Sequence, residues 1–273
     1  KSFEIGADLK FLHNRLGLDF TYYISDSYDL ITSVTLSSSS GYSKRYMNAG
    51  QIRNEGYEVI VYDNLSNSSE ESLNRVENYA KNNSNVIKVS DDASSVAILT
   101  SANVTLNLEE GRPYGILRGR AWKRDEQGRK LVDDSGKPLI TDNLQDLGCV
   151  QPKWNGSFIS SFNIYGVSVN VQLDAKIGGI LYSGTWNRAT TAGVVAATHA
   201  GREEYYLSTV ILGESVNKAT TGFQWEDAYF EDGRKCEMYV NPRYQFGSWD
   251  EKDVFDASYI KLRELAIGYS IPS

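Results

Sequence analysis

From Ser2 to Ser25 the chain alternates between apolar and polar residues almost without interruption, and this constrains its fold more than any other feature. Phe3, Ile5, Ala7, Leu9 and Phe11 alternate with Glu4, Gly6, Asp8 and Lys10. After a short turn at His13-Asn14-Arg15, Leu16, Leu18, Phe20, Tyr22 and Ile24 alternate with Gly17, Asp19, Thr21 and Tyr23. A helix would scatter these two sets around its circumference, whereas a strand sends alternate residues to opposite faces. The spacing predicts an antiparallel hairpin, Ser2–Phe11 with Leu16–Ile24. Phe3, Ile5, Leu9, Leu18, Phe20 and Tyr22 should share one face, with Glu4, Asp8, Lys10 and Asp19 on the other. Each arm has the ~10 residues that a tilted strand needs to cross a bilayer.

The pattern returns later. Trp154–Tyr165 (WNGSFISSFNIY) passes through Gly166 into Val167, Val169, Val171 and Leu173, which alternate with Ser168, Asn170, Gln172 and Asp174. Further strands are expected at Gln51–Tyr62, Val76–Val89, Ala97–Leu108, Tyr114–Arg124 and Ser258–Ile271, the last with a bulge around Lys261 to Glu264. The segment 123–140 (KRDEQGRKLVDDSGKPLI), punctuated by Gly128 and Gly136, reads as a small charged β-ribbon. Connections near His13 and Gly166 are short, while 37–50 and 183–256 are long, polar and rich in aromatics. Strands that alternate direction put short turns on one side and long loops on the other, as in outer-membrane barrels. A water-soluble β-sandwich alternates in the same way and stays open as a second reading.

The composition agrees with strands, and it excludes some functions. With 18 Tyr, 23 Gly and only 5 Pro, the chain suits turn-linked strands. A net charge of −7 argues against a nucleic-acid partner, because phosphate binding needs a basic face. No apolar run reaches the ~18 residues of a membrane-spanning helix, which leaves barrel strands untouched as an option.

Several stretches resemble the SusC/RagA family of TonB-dependent outer-membrane transporters. They are KSFEIGADLKFLHNRLGLDFTYY, SSGYSKRYMNAGQIRNEGYEV, EEGRPYGILRGRAWKRDEQGRKLVDDSGKPLI, DLGCVQPKWNGSF, KIGGILYS and DASYIKLRELAIGYSIP, in family order. The resemblance implies an all-β fold, an antiparallel transmembrane barrel whose 1–273 form one portion with long extracellular loops, 183–256 among them. It implies location in the outer membrane among its lipids and import of oligosaccharides or peptides. The implied partners are a SusD-like surface lipoprotein and TonB, reached through an N-terminal part expected to lie outside the chain together with the plug and the final strands. It implies no enzyme activity and no cofactor. The competing function is that of a soluble β-rich carbohydrate-binding protein.

One segment departs from the family pattern. Residues 56–76 (GYEVIVYDNLSNSSEESLNRV) resemble a sugar-nucleotide epimerase strand, with Asp63 placed to hold a ribose. The Gly-rich phosphate turn that NAD binding needs about twenty residues upstream is missing. Residues 65–77 read equally as strand, loop or short helix.

No catalytic constellation can be assembled, and His13 and His199 stand without partners at ligand spacing. Asp250, Glu251, Asp253 and Asp256 read either as a calcium loop or as a solvated acidic loop, and they lack EF-hand spacing. Tyr22, Tyr23, Tyr165 and Tyr269 suit an interfacial girdle. Tyr42, Tyr46, Trp186, Tyr205, Tyr206, Trp225, Tyr229 and Trp249 fall in the long loops. They are candidate substrate or lid contacts, or else they pack the loops together. Strand direction puts Cys149 and Cys236 on the outer side, where a disulfide can form if their Cα atoms come within roughly 7 Å, though two long loops can equally keep them apart.

Overall fold

The computed structural model describes residues 1–35, 41–42, 44–48, 50–67, 71–90, 94–101, 104–211, 221–247 and 249–271. The chain opens with β1 (Ser2–Phe11) and β2 (Leu16–Tyr28), then a short hairpin of β3 (Ile31–Thr35) and β4 (Lys44–Asn48). The long strands β5 (Gln51–Asn67) and β6 (Glu71–Lys88) follow. Next come β7 (Ser95–Ser101), β8 (Val104–Glu109), β9 (Ile116–Gly119), β10 (Leu131–Val132) and β11 (Gln145–Cys149). A second long hairpin, β12 (Trp154–Ile164) and β13 (Val167–Ile177), leads to β14 (Ile180–Tyr182) and the helices α1 (Gly184–Ala192) and α2 (Arg202–Ile211). The chain closes with β15 (Tyr229–Phe230), β16 (Val254–Asp256) and β17 (Tyr259–Tyr269).

Seven of these strands form one antiparallel sheet in the order β1-β2-β5-β6-β12-β13-β17. Its register explains the sequence pattern. Ala7, Phe20, Val59, Tyr79, Gly156, Ala175 and Ile260 lie in one cross-strand row. The adjacent row is Gly6, Thr21, Glu58, Ala80, Asn155, Lys176 and Tyr259, pointing to the other face. Alternate rows are thus largely apolar and largely polar across the whole sheet, as period-two side chains require.

The first hairpin follows its expected register, with Ile5 opposite Tyr22 and Leu9 opposite Leu18, so the apolar sets share a face. Its tight turn holds Leu12, His13 and Asn14 at positive φ. Between β12 and β13 the turn needs only Tyr165 (φ 46°) and Gly166 (φ 81°), both left-handed, the geometry that matches strand twist. The bulge expected near the C-terminus is present: Gln172 pairs with Glu264 and Leu173 with Leu262, leaving Arg263 as the extra residue. Arg263 then reaches back to Asp174, Nε to Oδ2 at 2.6 Å.

Glycines on the polar face are covered by tyrosines of the neighbouring strand. The Tyr62 ring lies directly over Gly17, its cross-strand partner, and the Tyr23 ring over Gly56. This packing restores the side-chain contacts that a glycine row lacks.

Two expectations are corrected, and one open question is answered. Residues 97–108 do not form one strand but the β7/β8 hairpin, because the chain turns after Ser101. Strand structure within 114–124 is limited to Ile116–Gly119. At 65–77 the described residues continue the β5/β6 hairpin, with Asn67 opposite Ser72. β5 alone is 17 residues, about 55 Å at ~3.3 Å per residue, so it outruns a bilayer.

Candidate functional site

The apolar rows of the seven-stranded sheet are exposed rather than buried. Phe3 is 61% exposed, Ile260 73% and Ile267 73%, and Leu9, Phe11, Phe20, Phe162, Leu262 and Leu265 are also exposed. In a soluble sandwich these residues would be the core; here they form a continuous wall suited to hydrocarbon. Tyr22 and Tyr57 are cross-strand partners. Tyr57, Tyr79 and Trp154 continue as a stacked series on the same face, with centroids 5.8 and 5.5 Å apart. This is a girdle towards the long-loop ends of the strands. Of the tyrosines expected to form a girdle, Tyr165 and Tyr269 are exposed at the short-turn end and Tyr22 lies on the apolar face. Tyr23 points to the other face, where its hydroxyl donates to Asn82 at 3.1 Å.

Charged side chains interrupt this wall, among them the cross-strand pair Asp26–Arg53 on β2 and β5. Asp63 and Arg75 are cross-strand partners joined by two hydrogen bonds, Nε–Oδ1 at 3.1 Å and Nη2–Oδ2 at 2.8 Å, which keep both charges compensated. The pairing disposes of the NAD reading. Gly56–Asn67 belongs to an antiparallel hairpin rather than a βαβ unit, and the Asp63 carboxylate is occupied by arginine.

All the long connections emerge at the opposite end of the sheet from the turns of β1/β2 and β12/β13, and they pack into their own structure. One cluster, Ile52, Val86, Val89, Val96 and Leu108, seals the outer ends of β5 and β6 against the β7/β8 hairpin. A second is built on Trp122, Val132, Ala228, Cys236 and Trp249, with Trp225 packed against it. Within the ribbon, Asp125 accepts from the backbone N–H groups of Gln127 and Arg129. Asp133 does the same for Ser135 and Lys137. Burial pushes both carboxyls upward, but these hydrogen bonds outweigh it and hold them below the ordinary value of 3.8.

Three of the four acidic residues are drawn into the fold, while Asp256 stays exposed and accepts from the Ser258 backbone N–H. Asp250 is 1% and Asp253 0% exposed. Asp250 Oδ2 accepts from the Arg120 backbone N–H at 2.8 Å, and Asp253 Oδ2 accepts from Asn187 Nδ2 at 2.6 Å and Lys252 Nζ at 2.7 Å. Glu251 accepts from the Trp122 backbone N–H and pairs with Arg124. These carboxylates bind the returning chain to β9 and α1, closing the 183–256 connection over its own base. Among the described residues no group of three metal-ligating side chains is found. His13 lies in the first turn, and His199 caps the 3-10 turn Ala196–Thr198.

The loop aromatics divide into packed and presented. Trp249 is 5% exposed, tilted against Trp122 at 5.1 Å, and Trp225 meets Trp122 edge-on at 4.8 Å while donating to the Gly136 carbonyl. Both are structural members of the second cluster. Trp186 packs edge-on against Phe255, Tyr206 donates to Asn241 and meets Tyr205, and Tyr229 stacks under Arg129. Tyr42 and Tyr46 are presented outward, 72% and 75% exposed. A cleft of about 770 Å³ opens between Trp122–Arg124, Gln145–Leu147 and Glu251. Its charges are paired, Lys123 with Asp142, Arg124 with Glu251 and Arg112 with Asp146.

Cys149 and Cys236 lie on the same outer side, but both are free thiols. No disulfide joins them. Cys236 is fully buried in the tryptophan cluster, where burial raises its thiol pKa, and Cys149 Sγ sits at the end of β11, 3.4 Å from the Tyr114 carbonyl.

The chain matches no family model. It is 23% identical over 297 aligned residues to "TonB-dependent receptor P3" of Formosa agariphila, a match spanning all of this chain and 27% of that protein. The fold superposes on RagAB, described as a peptide transporter, with a TM-score of 0.63 and 16% identity, covering 99% of this chain and 29% of that one. The open-open state of RagAB gives 0.65 and 15%. The chain is similar to one stretch of a TonB-dependent receptor, and its fold is that of a portion of the RagAB transporter. It spans under a third of the length of these relatives. A barrel portion of this fold accounts for an apolar face that a soluble sandwich would bury.

Proposed function

We propose that the protein containing this barrel portion imports oligosaccharides or peptides across the outer membrane. In this reading a SusD-like surface lipoprotein covers the outer loop assembly, and TonB drives opening from the other side through parts of the protein beyond this chain. One observation carries the membrane part of the proposal: the apolar rows are exposed or half-buried, and nowhere covered as a core, across the seven long strands, while the polar rows line the opposite face. The outer assembly supports a capture role, since Tyr42 and Tyr46 present rings where sugar faces stack. Trp186, Tyr205, Tyr206 and Tyr229 stand in the same assembly as candidate lid or substrate contacts. The similarity to RagAB, described as a peptide importer, keeps peptides within the cargo class.

The test is uptake of fluorescent oligosaccharides and peptides by cells carrying or lacking the full-length gene, each with and without functional TonB. Uptake that requires both supports the reading, and uptake indifferent to either contradicts it. Co-purification of a surface lipoprotein with the tagged full-length transporter tests the partner.

A further inference from the structure

A second outer cleft, about 360 Å³, differs from the larger one in its charges. It is lined by Arg120, Asp133, Lys137, Arg243, Tyr244 and Trp249, with Pro138 to Ile140 and Gly247 completing the wall. Arg120 and Arg243 are exposed, and among the described residues neither guanidinium has an ion-pair or hydrogen-bond partner. In the larger cleft, by contrast, cations are matched by carboxylates. The two carboxylates nearest the smaller cleft are already engaged. Asp133 is taken up by Ser135 and the Lys137 backbone N–H, and Asp250 by the Arg120 backbone N–H.

Three cationic side chains gathered in one concavity, two of them unpaired guanidiniums, are unusual on a chain with a net charge of −7. Asp133 offsets one of these charges, and the net positive lining that remains attracts an anion. Guanidinium groups match the planar fork of a carboxylate or the oxygens of a sulfate ester. Beside them stands Tyr244, whose ring can accept a sugar face, while Trp249 belongs to the buried tryptophan cluster behind the cleft. Peptides read irrespective of sequence are held by main-chain pairing along an open strand edge. This cleft offers charged and aromatic side chains instead.

We propose that this cleft is a subsite for an acidic oligosaccharide, its uronate or sulfate group held between Arg120 and Arg243. The proposal rests on the importer reading above and narrows its cargo to anionic glycans.

The experiment uses the full-length transporter in detergent and titration calorimetry with four probes. These are an oligogalacturonate, a sulfated oligosaccharide, a neutral oligosaccharide of equal length and an acidic peptide. The variant is Arg120→Gln with Arg243→Gln, both exposed, and its unfolding temperature is checked against the parent. Losing charge-assisted hydrogen bonds predicts weakening of at least one acidic glycan by about ten- to a hundredfold. Binding of that glycan should also fall as salt rises. The uronate and sulfate probes report which oxyanion is preferred. Unchanged affinity in the variant overturns the subsite, as does acidic-peptide binding with no acidic-glycan binding. TonB-independent uptake alongside intact, arginine-dependent glycan binding would sink the importer reading and leave the subsite standing. TonB-dependent uptake of other cargo without acidic-glycan binding would do the reverse.

Discussion

Val171→Arg places a guanidinium in the middle of β13, in the row that runs Ser160, Val171, Leu265 across three strands on the exposed apolar face. Asn170→Arg, one residue earlier, places the same group in the row Ser161, Asn170, Ala266 on the opposite face. The two variants have the same charge, strand and helix-free context, and differ only in the face they use. An arginine facing lipid near the bilayer midplane of a barrel costs about 2–4 kcal/mol. At ~1.4 kcal/mol per factor of ten, that lowers the folded-to-unfolded ratio by roughly 30- to 700-fold. The same residue facing a polar interior should cost about 1 kcal/mol or less, within the range of a surface change. The assay is urea titration of full-length transporter folded into phospholipid vesicles, with the fraction folded read from gel mobility without boiling. The reasoning is refuted if Asn170→Arg is as damaging as Val171→Arg, or more so.

Gly56→Ala should destabilise by about 1–3 kcal/mol, because the added Cβ meets the Lys81 backbone carbonyl, which cannot rotate away, and lies 2.6 Å from Tyr23 Oη. Gly184→Ala, where nothing lies within 4 Å, is the control and should be neutral or stabilising in the same titration. For acid, the lowered carboxyls of Asp125 and Asp133 contribute stability that is complete above 3.8 and disappears as pH falls through their folded values. Tryptophan fluorescence of the outer assembly should therefore report loosening below about pH 4, and Asp125→Asn with Asp133→Asn should flatten that slope. Maleimide should label Cys149 in the folded protein and reach the buried Cys236 only after denaturation; equal labelling, or a mass for a bridged 149–236 peptide, would contradict the placement.

What was legible in the sequence tracks how local the physics is. The β1/β2 and β12/β13 hairpins could be read because every residue obeys the two-residue period and the turns are tight. Of the β5/β6 hairpin, Gln51–Tyr62 and Val76–Val89 could be read as strands, but the stretch between them could not, because its apolar face carries Asp63, Arg75 and Glu77. The Asp63–Arg75 pair that makes this tolerable joins positions twelve residues apart. The β7/β8 reversal falls at Thr100-Ser101-Ala102-Asn103, a sequence with no Gly or Pro to mark a turn. The outer assembly was the least readable part. Whether Trp249 is a sugar platform or a core residue depends on Trp122, far away in sequence, and the burial of Asp250 and Asp253 depends on partners at Arg120 and Asn187. An acidic run is solvated by default, and only long-range donors turn it into a clamp. Cys149 and Cys236 reached the expected side without meeting, because the side follows from strand direction while the distance depends on how two long connections fold.

The central claim is that the odd-numbered residues of β13 face lipid. Its most direct test is spin labelling of single cysteines at 167 through 173 in the full-length transporter in vesicles, with Cys149 and Cys236 replaced by serine. Collision rates with oxygen, which partitions into the bilayer, and with a water-soluble nickel chelate are measured at each site. The account predicts oxygen maxima at 167, 169, 171 and 173 and nickel maxima at 168, 170 and 172. Oxygen and nickel accessibility rising and falling together along the strand, or the opposite phase, would contradict it.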